Sequence, residues 1–373
     1  ADQLLGHSVP IAKISRGCYV WDTLGKKYID WQMGNRVICL SHSDKEINKA
    51  VSKETNRGCN HSFPSKLEYE AANYFVNDLK LGEMVKFGKN GSDAVSAAIR
   101  LARAYTGKSK ILICSDQPFY SIHDWFIGST LSYIGTDQSL QKNILKFKWN
   151  SIDSLDSQIK ANSDDIACLL LEIVKFEKPS KEFLKYLNNL RKKYKILLIS
   201  DENINCMKFG IKGAHEYFNV KADLICYGKA IANGYSFSML AGNKEIMNLG
   251  GINTDSPKVF LLSQTHSSES TGIAAALATC KKYQRKKVDL HIENIGGLLK
   301  DTLNKTLANE FIGEYLSIGG YPQNPTWEIK NLSALESSQL RAWLVNQFLS
   351  EGILISWITI TYAHQKRHVD RTN

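Results

Sequence analysis

Lys229 is the residue of this chain whose surroundings most favour covalent chemistry. It follows Gly228 directly after the apolar run at residues 225–227, which is typical of a buried strand. A lysine is rarely placed beside a buried strand without a reason. In apolar surroundings its amine loses its charge more readily, and a neutral amine is a nucleophile toward aldehydes. Lys229 is therefore a candidate for covalent catalysis, with a solvated lysine at a strand end as the alternative.

The acidic pair Asp201-Glu202 is a second candidate site. It follows Ser200 and the apolar run at residues 196–199, which predicts a strand. Side chains that bind ligands emerge at the carboxyl ends of parallel strands. A carboxylate in this place can serve a ligand or cap the following turn. The sequence leaves both interpretations open.

Residues 89–94 (KNGSDA) form the third candidate site. Gly91 permits a tight backbone turn, and Ser92 and Asp93 are residues that favour the first turn of a helix. The start of a helix presents free N–H groups and the positive end of the helix dipole, which suits a phosphate group. Most helix starts of this kind bind nothing, so the signal is weak when it is taken alone.

The order of the three segments carries more information than any one of them. They supply an anion cradle, a carboxylate after one strand and an amine after the next strand. Pyridoxal 5′-phosphate (PLP) needs a cup for its phosphate, an acid that keeps its pyridine nitrogen protonated, and an amine for its aldehyde. The sequence contains no G-x-G-x-x-G, G-x-S-x-G or H-E-x-x-H, and Ala102 stands where a P-loop ending at Gly107-Lys108-Ser109 would need glycine.

The elements that must position these residues alternate between strands and helices. Apolar runs at residues 111–114, 167–171, 196–199 and 224–227 predict short strands that are covered on both faces. Amphipathic stretches at 92–105 and 183–194 predict helices between them. A hairpin is predicted around Gly25, and helices at 272–280 and 340–348 lead to a final strand at 353–355. This order predicts a mainly parallel sheet and a second α+β unit.

Composition and charge restrict the class of protein. Hydrophobic residues make up 43% and charged residues 23% of the 373 residues, as in ordinary globular domains. Lys+Arg is 47 and Asp+Glu is 37, which gives a formal charge of +10. The lysines are spread along the chain without interleaved aromatic residues, so we expect a solvated surface and no binding of nucleic acid.

The cysteines and histidines predict neither disulfides nor a metal site. Eight cysteines without a Cys-x-x-Cys pair, mostly inside apolar runs, predict buried and reduced thiols. His364 and His368 have no acidic or cysteine partner nearby, so we expect a surface pair and no metal. The printed chain has no signal-peptide pattern and no apolar span of membrane length. We therefore expect a cytoplasmic protein without a membrane partner.

With these motifs in place, the chain resembles the class III aminotransferases of fold type I, a group that includes glutamate-1-semialdehyde aminomutase. Residues 89–107 resemble the family's phosphate-loop helix, and residues 222–235 resemble its Schiff-base segment. Residues 33–36, 123–128 and 370–372 are similar to an aminomutase-like subgroup. The resemblance implies an α/β fold of the PLP-dependent transferase type I. In this fold a large domain with a mainly parallel, seven-stranded sheet (56–265) is joined by a smaller α+β domain from both chain ends (1–55 and 266–373).

The resemblance also implies roles for particular residues. Lys229 would hold PLP as a Schiff base and then move a proton between the substrate carbon and the cofactor C4′. Asp201 would pair with the pyridinium nitrogen, and Gly91 and Ser92 would bind the phosphate. The remaining positions implied as cofactor-binding are Phe119 (stacking on the ring), Thr265 (reaching the phosphate across a dimer interface), Glu172 and Asn203.

Several positions depart from the family pattern, so we expect the walls of the pocket to differ. Asn203 stands where the family has an apolar residue under the ring, and Tyr120, Ser121, Ile173 and residues 266–269 also differ. Arg36 is our candidate for binding a substrate anion, and a structural salt bridge is an equal alternative for it.

Three functions follow from the resemblance. The first is a homodimeric PLP-dependent aminotransferase that moves an amino group between a small-molecule amino donor and a carbonyl acceptor, with a sugar-like acceptor as one option. The second is a glutamate-1-semialdehyde 2,1-aminomutase, which keeps both functional groups on one substrate. The third is a catalytically altered PLP-fold binding protein, for which Asn203 and the run at 266–269 are the support.

Overall fold

A computed structural model describes residues 9–117, 123, 134–175, 177–252, 257–259 and 265–373. The chain divides into two compact units. The first unit takes both ends of the chain, up to Ser52 and from Ala278 on, together with Ala232–Gly234. The second unit comprises Lys53–Ile231 and Tyr235–Leu277. The unit limits therefore lie at 52/53 and 277/278, whereas the sequence analysis placed domain limits at 55/56 and 265/266.

A seven-stranded sheet forms the centre of the second unit, in the order β4-β10-β9-β8-β7-β5-β6 among the described residues. Strand β10 is antiparallel to both β4 and β9, and the other neighbouring strands are parallel. The strands are β4 (Met84–Gly88), β5 (Lys110–Cys114), β6 (Ile144–Phe147), β7 (Ile166–Leu171), β8 (Leu197–Asp201), β9 (Leu224–Tyr227) and β10 (Ser238–Gly242). The predicted mainly parallel sheet is thus confirmed.

Several helices of the second unit pack on this sheet. The longest that packs on it is α4, whose buried face meets Ile111, Cys168, Ile199 and Cys226 of four strands. Continuous apolar strands arise because both faces of the sheet are covered. The helices are α3 (Lys66–Asn73), α4 (Gly91–Thr106), α5 (Ile152–Asn162), α6 (Lys181–Tyr194), α7 (Ala214–Tyr217) and α8 (Lys244–Met247).

The first unit is an α+β assembly with two sheets among its described residues. Its larger sheet has the order β1-β2-β3-β13, and a separate hairpin pairs β11 with β12. The strands are β1 (Ala12–Arg16), β2 (Tyr19–Asp22), β3 (Lys27–Asp30), β11 (Leu316–Tyr321), β12 (Asn324–Ile329) and β13 (Ile353–Leu354). The helices are the single turn α1 (Met33–Arg36), α10 (Val288–Asn309), α11 (Ala334–Ser350) and α12 (Lys366–Thr372), while α2 (Lys45–Thr55) and α9 (Ser270–Lys286) have residues in both units.

The predicted surface pair of histidines is wrong. His364 and His368 are buried, with exposures of 0% and 2%. The His364 ring stacks on Trp31 at 4.1 Å between centroids, and the hydroxyl of Tyr19 lies 2.9 Å from Nε2 of His368. Burial lowers the pKa of His364 to about 3, which keeps the ring neutral. These histidines therefore join parts of the first unit together.

The cysteine prediction agrees with the structure. Seven of the eight cysteines are buried as free thiols, and Cys59 is partly exposed. Among the helices of the described residues, none combines the length and the apolar character that a membrane crossing requires.

Candidate functional site

The ends of strands β8 and β9 bring Asp201 and Lys229 to one edge of the sheet. Asp201 is the last residue of β8 and pairs in register with Cys226 of β9. Lys229 stands three residues after Cys226, and its positive charge lowers the pKa of Asp201, as expected for nearby groups. The backbone of Lys229 is left-handed, with φ of 48°. Such strain in a residue other than glycine is often found at functional sites.

Burial changes the acidity of Asp201. The residue is 5% exposed, and burial is the largest cause that raises its pKa, followed by the negative charge of Glu172. Hydrogen bonds from Asn203 and the charge of Lys229 act in the opposite direction. The net effect raises the pKa of Asp201 to about 6. A carboxyl group with this pKa exchanges a proton near neutral pH, which suits proton sharing with a ring nitrogen.

Glu202 has a structural role that differs from that of its neighbour. Its carboxylate is fully buried and accepts hydrogen bonds from the backbone N–H of Ala214 and of His215, both at 2.8 Å. The hydroxyl of Ser200 donates to the same carboxylate at 2.7 Å. Glu202 therefore accepts hydrogen bonds from the free backbone N–H groups in the first turn of α7. The interpretation as a cap for the following turn is therefore confirmed for Glu202, and the ligand-binding interpretation stays a prediction for Asp201.

The helix start at Gly91 and the backbone at Gly228 form a cradle around Asn203. A Cβ atom on Gly228 would lie 2.2 Å from Oδ1 of Asn203 and 3.7 Å from Cα of Gly91. A Cβ atom on Gly91 would lie 2.5 Å from the same oxygen. A side chain at either position would therefore force the Asn203 amide to move. The structure thus joins the segments that carry Gly91, Asn203 and Lys229 in one place.

Asn203 has one end of its amide paired and the other end unpaired. Its Nδ2 donates to Oδ1 of Asp201 at 2.6 Å, and its backbone N–H donates to the same oxygen at 3.0 Å. Its own Oδ1 is buried without a hydrogen-bond partner among the described residues. A buried carbonyl oxygen without a donor costs about 1–3 kcal/mol.

Glu172 lies just beyond β7, the strand next to β8, and two neighbours hold it in place. The side-chain amide of Gln117 donates to its carbonyl oxygen at 2.8 Å and accepts from its N–H at 3.0 Å. The ammonium of Lys175 lies 2.9 Å from its carboxylate in a largely buried ion pair. The sequence analysis missed Gln117 and Lys175, although the three-residue spacing from Glu172 to Lys175 is a weak signal of pairing.

A second ion pair missed by the sequence analysis lies beside the helix start. Lys89 and Glu269 form a salt bridge whose side chains are 14% and 13% exposed. Glu269 also accepts from the N–H of Thr271 at 2.8 Å and from its hydroxyl at 2.7 Å. Burial raises the pKa of Glu269, but these donors outweigh it and hold the pKa below its usual value.

The remaining predicted residues are less closely tied to this cluster. Thr265 is exposed, and Phe119 lies outside the described residues. Arg36 belongs to the first unit, where its guanidinium lies 5.8 Å from the centre of the Trp357 ring. It ends the turn α1, in which Gly34, Asn35 and Arg36 all have positive φ. This left-handed turn is strained for residues other than glycine.

The residues of the second unit fit PLP as a cofactor. An amine, a buried carboxylate with a raised pKa and the N-terminus of α4 converge on a glycine-lined cradle, which ends at an amide oxygen that no described residue donates to. These are the groups that an aldehyde, a pyridine nitrogen and a phosphate require. A metal ion has no comparable site, because the described residues contain no cluster of three His, Cys, Asp or Glu residues able to hold one.

Sequence comparison identifies related proteins. The family described as Aminotransferase class-III matches residues 6–356. A glutamate-1-semialdehyde 2,1-aminomutase of Nitrosopumilus maritimus (strain SCM1) is 32% identical over 296 residues, which cover 75% of this chain and 68% of that protein. The aminomutase of Methanococcus maripaludis (strain C5) is 32% identical over 248 residues, which cover 63% of this chain and only 58% of the relative's own length.

Comparison with solved structures shows the same fold. An omega-transaminase from Sphaerobacter thermophilus has a TM-score of 0.89 at 21% identity, covering 99% of this chain and 90% of its own. A glutamate-1-semialdehyde aminomutase from Pseudomonas aeruginosa PAO1 has a TM-score of 0.84 at 17% identity, and the match covers 99% of this chain and 87% of that chain. A transaminase with PLP bound has a TM-score of 0.89 at 20% identity, and the match covers 99% of this chain and 89% of that chain. At these identities the likeness shows the fold alone.

Proposed function

Since the chain belongs to the class III aminotransferase family, we propose that it is a PLP-dependent aminotransferase that moves an amino group from a small-molecule donor to a carbonyl acceptor. The observation that carries the proposal is the convergence of Asp201 and Lys229 at adjacent strand ends beside the cradle of Gly91 and Gly228. An amine, a carboxylate and a phosphate-binding helix start have separate structural uses, but their convergence is the requirement of this one cofactor.

Each residue of the cluster has a proposed task. PLP, when bound, supplies an electron sink that stabilises negative charge on the substrate carbon that bears the amine. Lys229 would hold PLP through Nζ and would move a proton at the substrate carbon that bears the amine. Asp201 holds a proton on the ring nitrogen, and Gly91 and Ser92 bind the phosphate through N–H groups and a hydroxyl.

The resemblance implies tasks for three further residues. Phe119 would stack on the ring, Thr265 would reach the phosphate across a dimer interface, and Arg36 would bind an anionic group of the substrate. The strained turn that carries Arg36 supports its assignment, because backbone strain is concentrated at functional positions. Glu172 acts on the cofactor through its charge, which raises the pKa of Asp201.

We propose a homodimer in the cytoplasm as the working form. Phe63 and Tyr69 in the second unit are large side chains with exposures of 82% and 74%, and a second copy of the chain could cover them. Seven buried free thiols support a reducing compartment. Light scattering of the purified protein measures the oligomeric state, and a monomer at micromolar concentration would contradict the proposal.

The test of the enzyme activity is a half-reaction with single amino donors. Protein loaded with PLP is mixed with each donor of a panel, and the change in cofactor absorbance is followed together with the keto product. We expect at least one donor to react with the wild-type protein and none with Lys229→Ala. Lys212→Ala is the matched control, because Lys212 pairs with Glu216 on the surface and has no place in the cluster. PLP binding without reaction of any donor would favour the altered binding protein.

Aminomutase activity on glutamate-1-semialdehyde is the second candidate. It is favoured by the relatives of that name, which reach 32% identity. An aminomutase converts its aldehyde without any external amino donor, whereas an aminotransferase depends on one. Formation of 5-aminolevulinate from the aldehyde alone would establish this activity, and its absence in protein that reacts with amino donors would dismiss it.

A further inference from the structure

Asn203 connects the three segments of the proposed site. It lies two residues after Asp201, is 5% exposed, and has its amide between the backbones of Gly91 and Gly228. An apolar side chain would fill the same space without any polar contact. The polar side chain therefore calls for an explanation beyond packing.

The direction of the Asn203 amide is fixed by its neighbour. A carboxylate only accepts hydrogen bonds, so the NH₂ group must face Asp201 and the carbonyl oxygen must face the two glycines. The side-chain bond of 2.6 Å and the backbone bond of 3.0 Å both fall on Oδ1 of Asp201. Neither of them uses Oδ2. The two oxygens of Asp201 thus have different surroundings.

From this geometry we propose that Asn203 is a positioning residue, which occupies Oδ1 of Asp201 and so reserves Oδ2 for the ring nitrogen of PLP. The inference rests on the proposed function, because it requires PLP to be the ligand of the cluster. Two donors on one oxygen fix the rotation of the carboxylate. They also favour its ionised form, which binds a protonated ring nitrogen.

The electrostatic surroundings show why this support is needed. Burial and the charge of Glu172 both raise the pKa of Asp201, and Lys229 is the nearby cation that opposes them. Glu172 is itself paired with Lys175, so its charge is partly balanced. The two hydrogen bonds from Asn203 lower the pKa of Asp201 and keep more of it ionised near neutral pH.

The test compares two cofactors in one pair of variants. Asn203→Val and Asn203→Thr have nearly the same size and shape, but only threonine offers a hydroxyl that can donate to Asp201. The dissociation constants of cofactor-free protein are measured for PLP and for its carba analogue, in which a CH group replaces the ring nitrogen. A hydrogen bond to a charged group is worth about tenfold or more in binding. We therefore expect Asn203→Val to reduce the preference for PLP over the analogue by about tenfold, and Asn203→Thr to restore most of it.

The outcomes separate positioning from packing. If Asn203→Val lost affinity for PLP and for the analogue by equal factors, the role of Asn203 would be steric and the inference would be overturned. An affinity ratio that is unchanged from the wild-type protein would overturn it as well. Asn205→Val is the control, since Asn205 donates to the carbonyl of Val174 at 2.9 Å and should leave the preference unchanged. If Asn203→Val does not fold by circular dichroism, Asn203→Ala replaces it. Wild-type protein that binds no PLP would overturn the proposed function itself, whereas the outcomes above concern Asn203 alone.

Discussion

Asp201 should destabilise the cofactor-free protein at neutral pH, and Asp201→Asn should remove this penalty. The pKa of Asp201 is raised from 3.8 to about 6 in the folded protein. The folded state therefore binds a proton more tightly than the unfolded state, and the ionised carboxylate opposes folding above pH 6. At 1.36 kcal/mol for each pH unit, the penalty is about 3 kcal/mol above pH 7, and it fades as the pH falls through 6 toward 3.8.

The assay is urea unfolding of cofactor-free protein at several pH values. We expect Asp201→Asn to increase the free energy of unfolding by up to about 3 kcal/mol at pH 7.5 and by less than about 1 kcal/mol near pH 4. The same variant should bind PLP much more weakly, because a neutral amide does not pair with a pyridinium. A gain that is equal at both pH values, or a loss of stability at pH 7.5, would refute the reasoning.

Asp156 provides the control with the opposite sign. Hydrogen bonds from Lys160, from Tyr186 at 2.7 Å and from Tyr194 at 2.9 Å hold the pKa of Asp156 well below its usual value. Its ionised form therefore stabilises the fold at neutral pH, and this contribution is lost as the pH falls. Asp156→Asn should destabilise the protein at pH 7.5 and leave PLP binding unchanged, whereas Asp201→Asn should do the reverse.

Three further predictions concern other parts of the structure. His364→Phe should reduce the loss of stability that acid causes. The pKa of this histidine is about 3 in the folded protein and 6.5 in the unfolded chain, so it should cost the wild-type protein about 2 kcal/mol of unfolding free energy between pH 7 and 5. Urea titrations measure this loss, and an equal loss in the variant would contradict the prediction. Gly228→Ala should prevent PLP uptake, because its Cβ would lie 2.2 Å from the buried amide oxygen of Asn203. Gly297→Ala is the control: its Cβ would have nothing within 4 Å, and the variant should gain up to about 1 kcal/mol of helix stability. If both variants changed PLP uptake equally, the proposed cradle would be wrong. Glu172→Gln should lower the pKa of Asp201, measured by carbon NMR of the labelled carboxyl group, and an unchanged or raised value would show that their charges do not interact.

The sheet and its helices were predictable because local patterns determine them. Apolar runs such as those that became β7 and β9 have no polar position, which occurs where both faces of a strand are covered. The stretch at 183–194 was recognisable as a helix because its apolar positions recur with helical spacing, and it forms most of α6. Such signals lie within a few residues of each other, so no tertiary information is needed to recognise them.

The details of the site depend on contacts between distant segments. Lys89 and Glu269 are 180 residues apart, and no local pattern connects them. Asp201 and Glu202 are adjacent and chemically alike, but their separate roles depend on which one faces the N-terminus of α7. The position of Asn203 against two glycines is likewise visible only after the strands are placed side by side.

The histidine error has a similar physical cause. A spacing of four residues would place two side chains on one face of a helix, but it does not say whether that face is inside or outside, and His364 lies just before α12. Here the carboxyl-terminal segment returns to Trp31 near the start of the chain, and the face is covered. The burial of His364 therefore depends on a contact across more than 300 residues.

The central claim is that the amine of Lys229 carries PLP, and chemical trapping tests it most directly. Protein incubated with PLP is reduced with borohydride, digested and analysed by mass spectrometry, with Asp201→Asn and Lys229→Ala treated in parallel. We expect one stoichiometric pyridoxyl group on Lys229 in the wild-type protein and none in Lys229→Ala. Labelling spread over surface lysines, or a single label on a lysine outside the cluster, would contradict it.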